Sequence, residues 1–346
     1  MEEPTTQDRP DTRTIAGALV AVVVLQLLFA FSYIAAFHDP SPHGVPLAVA
    51  APTEEAAAQV AQGLEREGGD AVTTTVVADE SAATARVRDR EAAAALVVGP
   101  KKTDRLYIAS AAGVSQAQAI EARIRDAESR QGRTLKVADL APLPSADSRG
   151  TTPFYLVLVM AFGGYLGVTV LSLLASPQAS RGRRALQRLG AMAAYAVISG
   201  VAVTLLARAA FGLVEGHVLA VAAATSLVGY ATASVAITLQ AVFGTAGTGL
   251  VILLFVVLGN PSSGGAVPYD FLPGWLGALG PFLVNGAGVD LVRNLVYFDG
   301  NALARPLAVL AVWALAGSIG AVSVSAARYR RSGDDPDLAP AVAAGL

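Results

Sequence analysis

His38, Asp39 and His43 stand together in the run HDPSPH, and imidazoles beside a carboxylate are ligand types that a zinc ion accepts. The set is incomplete, because His217 is distant in sequence, so the run reads first as a proline-broken linker next to a membrane span. Gly99-Pro100-Lys101-Lys102-Thr103 follows a short apolar run, as a phosphate-binding loop would, but it lacks the earlier glycine and the lysine spacing that cradle phosphates. Asp290 and Arg293 have the i, i+3 spacing of one helical turn, where they can pair with each other or line a pathway. Arg181, Arg183, Arg184 and Arg188 form a cationic cluster without an acid, which either fixes topology or offers a surface to a cytoplasmic partner or anionic lipid. No Ser/His/Asp set, nucleophile elbow or zinc-protease helix occurs. With no cysteine in the chain, disulfides and thiol chemistry are excluded. These residues point away from an enzyme and call for no cofactor and no metal.

The elements that would position them are mostly apolar. Of 346 residues 53% are hydrophobic and 15% charged, against about 25% charged in soluble domains, and the mean hydropathy is +0.52. A net charge of −2, with cations gathered at span ends, argues against nucleic acid as a partner and for membrane lipid as the surroundings. Residues 1–14 form a mixed-charge cytoplasmic N-terminus. Residues 15–37 are long enough to cross about 30 Å of hydrocarbon, and the acids before them favour an uncleaved anchor over a signal peptide. Residues 38–152 hold most of the acids, with short β-branched runs alternating with Ala-rich helical stretches for which Thr53 and Ser115 are candidate N-caps. This predicts a small α/β extracytoplasmic domain inserted between helices 1 and 2.

Residues 153–326 read as a membrane domain of five spans. Gly163 and Gly167 in the first of these have the spacing of a close helix contact, within the bundle or across a dimer seam. Residues 218–258 carry no charge and are too long for one pass, so they must turn near 240–249. Residues 327–346 form a disordered cytoplasmic tail. The expected fold class is an α-helical polytopic membrane protein with six transmembrane helices and both termini inside, in a bacterial cell membrane. The arginine clusters then fall on one side. None of the spans carries an acid within its apolar run, so ion-driven secondary transport lacks its usual mid-membrane group.

Residues 259–300 fit neither a span nor an open loop. Pro261, Pro268, Pro273 and Pro281 forbid a continuous helix, while the stretch is too apolar for water. Broken backbone of this kind is tolerated at membrane depth only where protein or a cavity covers it. A partly re-entrant outer cap is expected, with Asn260-Pro261 ending the fifth span, Leu272-Pro273 opening a short interfacial helix, and Asp290 facing the outside.

The chain resembles the bacterial YhgE/Pip-like and type 2 ABC-exporter permease group. The residues that carry the resemblance are Phe243-Gly244 with Gly247, then Gly259-Asn260-Pro261-Ser262-Ser263-Gly264, Leu272-Pro273, and Arg293 with Tyr297-Phe298 and Gly300. In the inserted domain they are Glu91-Ala92-Ala93-Ala94 leading into Leu96-Val97-Val98-Gly99. The resemblance implies a permease that forms a homodimer or heterodimer, pairs with a separate cytoplasmic ATPase and moves a hydrophobic or amphipathic compound outward. The short N-terminal segment leaves no room for a long connecting helix before the first span. A cell-surface receptor or assembly scaffold acting through the inserted domain is the alternative.

Overall fold

The structure is a computed structural model that describes residues 11–174 and 182–333. The first helix, α1 (Thr12–Phe37), has apolar residues on every side and buries only 6% of its apolar window, so packing against the rest of the chain is not what forms it. An α/β unit follows. Its strands are β1 (Val45–Ala50), β2 (Val72–Val76), β3 (Ala94–Val97), β4 (Thr103–Ile108) and β5 (Thr134–Asp139), and its helices are α2 (Glu54–Gly68), α3 (Glu80–Arg88) and α4 (Val114–Arg130). The sheet order is β2-β1-β3-β4-β5, with β4 antiparallel to β3 and the other pairs parallel.

The period-two geometry of a strand gives the two faces of this sheet different sizes. Val45 and Leu47 pack with Leu96, Leu106 and Ile108 and with Ile120 and Ile124 of α4 on one face. Ala48, Ala50 and Ala95 pack with Ala83 and Val87 of α3 on the other, where short side chains leave the sheet shallow. Thr53 caps α2 by accepting the Ala56 amide hydrogen at 3.2 Å. Ser115 does not cap α4: the helix starts one residue earlier, after Gly113, and Ser115 lies inside its first turn.

The bundle comprises α5 (Thr152–Leu174), α6 (Gly182–Phe211), α7 (Val218–Phe243), α8 (Thr245–Ile252), α9 (Gly274–Leu279), α10 (Val284–Tyr297) and α11 (Ala304–Gly333). The charge-free run breaks at Gly244, whose φ of +61° suits glycine. After it, α8 passes into a π-helical turn over Leu253–Leu258. Among the described residues five helices are long and apolar enough to cross a membrane. The fifth pass expected from sequence is a shorter apolar helix, Thr245–Leu258, and a sixth crossing exists only if the pair Gly274–Phe282 and Val284–Tyr297, bent by 72°, counts as one. The last helix continues to Gly333, beyond the expected end of the span; residues 334–346 of the expected tail lie outside the described residues.

Helix α7 is the axle, with 61% of its window buried. Close approach is bought with small residues: a Cβ on Gly317 of α11 would sit 2.4 Å from Ser234 Oγ and 2.6 Å from the Val235 nitrogen. Gly317→Leu should therefore lower stability by about 1–3 kcal/mol. Gly190→Leu, where nothing lies within 4 Å, should be close to neutral, and thermal denaturation in detergent compares them.

A second stability element sits at the far end of α4. Buried Asp104 accepts from the Gly99 amide and from the Arg133 guanidinium, and Glu128 lies 3.3 Å from the same guanidinium. Burial, then the hydrogen bond and charge of Asp104, push the Glu128 carboxyl up to about 7 against the pull of Arg133. Because this pKa is above the unfolded value, the protonated acid is the stabilising form. The stabilisation is full below the ordinary carboxyl pKa and is lost as pH rises through about 7. Glu128→Gln should protect β4 and β5 amides from hydrogen exchange better than the natural residue at about pH 8, with little difference at about pH 4.

Candidate functional site

Residues 259–300 gather around α10, whose residues from Val284 to Leu295 are all buried. Four of them are polar, and each is tied to a different segment. Asn285 donates from Nδ2 to Asn260 Oδ1 at 2.6 Å and to the Phe255 carbonyl, which belongs to the π-helical turn. Arg293 donates to the carbonyls of Gly264 and Gly265 at 3.0 and 3.4 Å, holding that turn closed. Asn294 donates to the Ala302 carbonyl at 2.9 Å. Asp290, 1% exposed, receives Arg90 at 3.0 Å, Arg305 at 2.7 Å and the Tyr269 hydroxyl at 3.2 Å.

Asp290 and Arg293 are thus on the same helical turn but do not pair. The carboxylate is neutralised by Arg90 from the turn after α3 and by Arg305 from the start of α11. Arg90 sits at φ +58°, a conformation that a non-glycine residue rarely adopts. Its guanidinium also donates to Asn294 Oδ1 at 2.7 Å and lies 5.4 Å from the centre of the Phe298 ring. The α/β unit is therefore latched to the bundle through a buried charge.

Apolar contacts reinforce the latch from both faces of the sheet. Phe271 packs into the cluster with Val45, Leu47 and Ile120, while Phe298 and Tyr297 pack against the alanine face with Ala48 and Val87. Gln116 donates to Asp270 at 2.9 Å, and burial raises the Asp270 carboxyl above its usual range although Gln116 and Arg90 oppose this. The Tyr297 hydroxyl donates to Asp147, which also accepts the Thr151 and Thr152 amides at the start of α5. Burial works to raise the Asp147 carboxyl, but the hydrogen bonds from Thr152 and Tyr297 outweigh it and hold it below its usual range. Between the α/β unit and the cap lies a cavity of about 690 Å³, lined by Arg90, Gln116, Tyr269, Asp270, Arg293 and Arg305 among others.

Of the other residues singled out by sequence, Pro261 and Ser262 lie buried in the turn after the π-helical segment, with Ser262 Oγ donating to the Leu258 carbonyl. Leu272 packs with Ala36 of α1 and Leu276, and Pro273 precedes α9. Gly264 supplies one of the Arg293 carbonyls. Gly163 and Gly167 both abut Tyr195 of α6, so in this chain they serve contact within the bundle. Arg181 lies outside the described residues, as do the Arg183 and Arg184 side chains. Arg188 donates to Ser172 Oγ at 2.6 Å and faces the bundle. Sequence reasoning passed over Arg90, Arg305 and Asn285. Arg305 carried a signal: it is a lone cation at the end of an apolar run opposite the arginine clusters.

Long apolar helices around a buried axle, with a broken, largely buried segment before the last of them, define a multi-pass membrane protein. The chain belongs to the ABC-2 family transporter proteins, whose profile matches residues 13–322, and is a membrane component of an ABC-type transporter. No curated protein and no solved structure matches it.

Removing a partner from a buried ion pair costs about 3–5 kcal/mol when a charge is left uncompensated. Asp290→Leu, which strands Arg90, should approach this figure. Arg305→Ala, whose side chain is 56% exposed, should cost about 1 kcal/mol or less. Thermal unfolding in detergent ranks them.

Proposed function

We propose that this permease exports a hydrophobic or amphipathic compound, driven by ATP hydrolysis on a separate cytoplasmic ATPase and working as a homodimer or heterodimer within the bacterial cell membrane. It is similar in layout to the YhgE/Pip-like members of the exporter group. Both termini and the arginine-rich segment at 176–188, which the structure enters as the start of α6 from Gly182, face the cytoplasm, and the α/β unit stands outside. The observation that carries the reading is the family profile, which covers the α/β unit and the bundle together and so treats them as one transporter body.

In this reading residues 259–300 form a re-entrant cap over the exit path. Two observations support it. The segment touches the α/β unit twice, through Asp270 and through Phe298 near its end. Its middle lies deeper: Trp313 Nε1 donates to the Phe282 carbonyl, and Trp313 lies about 13 Å along α11 from its first residue, Ala304. The latch at Asp290 closes the cap, and release of Arg90 would open the cavity beneath the unit. Arg183 and Arg184 contact the ATPase, while Arg188, turned toward Ser172, holds the base of the bundle.

The test is reconstitution in lipid vesicles with a candidate separate ATPase of the same cell. Hydrolysis stimulated several-fold over the ATPase alone, and reduced by Arg183→Glu with Arg184→Glu, is expected. No stimulation by the permease would sink the reading. Deleting residues 38–150 together with Asp290→Leu, which removes the acid that the deletion would otherwise leave without Arg90, separates the export reading from a receptor or scaffold role, since a permease keeps its ATPase pairing and a scaffold loses all function.

A further inference from the structure

Helices α2 and α4 lie over the large-residue face of the sheet without meeting along their whole length, leaving a groove of about 320 Å³. That volume is in the range of small-molecule sites, about 300–1,000 Å³. Its floor is Leu47 of β1 and Val72 of β2, and Leu64, Ile120 and Ile124 form its walls. It stays open because the facing positions are small: Gly68 on α2, and Ala119 and Ala127 on α4. The α4 lining runs from Ala119 to Arg130, about 16 Å at helical rise, so the groove is elongated. One end is closed by Phe271 of the cap and Pro42 of the linker that follows α1.

The charges at its mouth are unequal in kind. Arg130 is neutralised by Asp126 at 3.2 Å and Glu67 at 3.7 Å. Arg123, exposed on the same wall between Ile120 and Ala127, has no acidic partner among the described residues. The lip is balanced overall, Glu67 and Asp126 against Arg123 and Arg130, but both acids are drawn to Arg130, and an elongated apolar channel with one unpaired cation on its lip is complementary to an amphipathic anion.

We infer that this groove binds a single-chain amphiphile with an acidic head, its apolar body along α4 over Leu47 and Val72 and its acid at Arg123. The apolar contact supplies most of the affinity, and the cation selects the head group. As a station for exported cargo the site rests on the export reading above; as a binding site it stands alone.

The test uses the full-length protein in nanodiscs and a photoreactive diazirine fatty acid, with cross-linked residues mapped by mass spectrometry. Labelling of residues 64–72 and 119–130 is expected. Ala127→Trp, which fills the groove, should abolish it. Arg123→Glu, an exposed change that leaves the core intact, should weaken binding of the acid about fivefold while sparing the corresponding alcohol. Labels confined to the bundle helices, or labelling of the groove unchanged by Ala127→Trp in protein that elutes as a single species, would overturn the proposal. So would a second copy of the chain occupying this face, seen as a dimer that Ala127→Trp disperses. Groove labelling without ATP-driven efflux would leave the site standing and remove only the export reading; efflux that survives both substitutions, without groove labelling, would do the reverse.

Discussion

A carboxylate removed from water must be paired, because an isolated buried charge costs far more than a domain's net stability. Asp290 is such a group, and the arrangement of the whole cap answers it. Its helix has no cation that reaches it: Arg293, one turn on, spends its donors on the carbonyls of Gly264 and Gly265. Compensation must come from Arg90 in the α/β unit and Arg305 at the head of α11. One buried acid thereby obliges three distant parts of the chain to meet, and only the docked arrangement satisfies it.

The apolar part of the interface is arranged around the same point. Phe271 and Phe298 straddle the sheet, one on each face, and the Arg90 guanidinium lies over the Phe298 ring. Each ring is nearly fully buried, worth about 1.5–3 kcal/mol of transfer free energy. The shallow alanine face is what admits Phe298. Larger residues at Ala48 or Ala95 would hold the ring, and the guanidinium stacked near it, away from the acid. Packing thus sets position and charge sets register.

Much of the bundle is legible in the sequence because its signal is local. An apolar run of sufficient length declares a helix that can cross a membrane, and the chain break at Gly244 lies where a charge-free run had to turn. The count of crossings was less legible. The length of the charge-free run does not show that its second half, Thr245–Leu258, is shorter than a full span, and the prolines of 259–300 do not show a helix pair bent at Leu283. The polar site was the least legible part. Asp290 and Arg293 have the spacing of a helical ion pair, and a local rule joins them. The structure separates them because a partner 200 positions away fits the carboxylate while nearby carbonyls claim the guanidinium. Ser115 fails as a cap for a similar reason: Gly113 takes the turn, packed so closely on Pro268 of the cap that a Cβ there would meet it at 2.4 Å.

The latch also imposes an order on how the molecule is made. The sheet draws its strands from residues 45–139 only, so it can close as soon as that stretch has emerged, with Arg90 already set in its left-handed turn. Asp290 is synthesised long afterwards and Arg305 later still. The acid therefore arrives at a waiting cation rather than searching for one, which shortens the interval in which an unpaired charge lies among apolar helices. Closing so long a loop is entropically expensive only when both ends are free. Here Asp147, at the start of α5, accepts from Tyr297 two turns beyond Asp290, so the same helix is tied back at a second point. A chain whose α/β unit folded late would expose Asp290 during insertion, and quality control would meet the charge before the fold did.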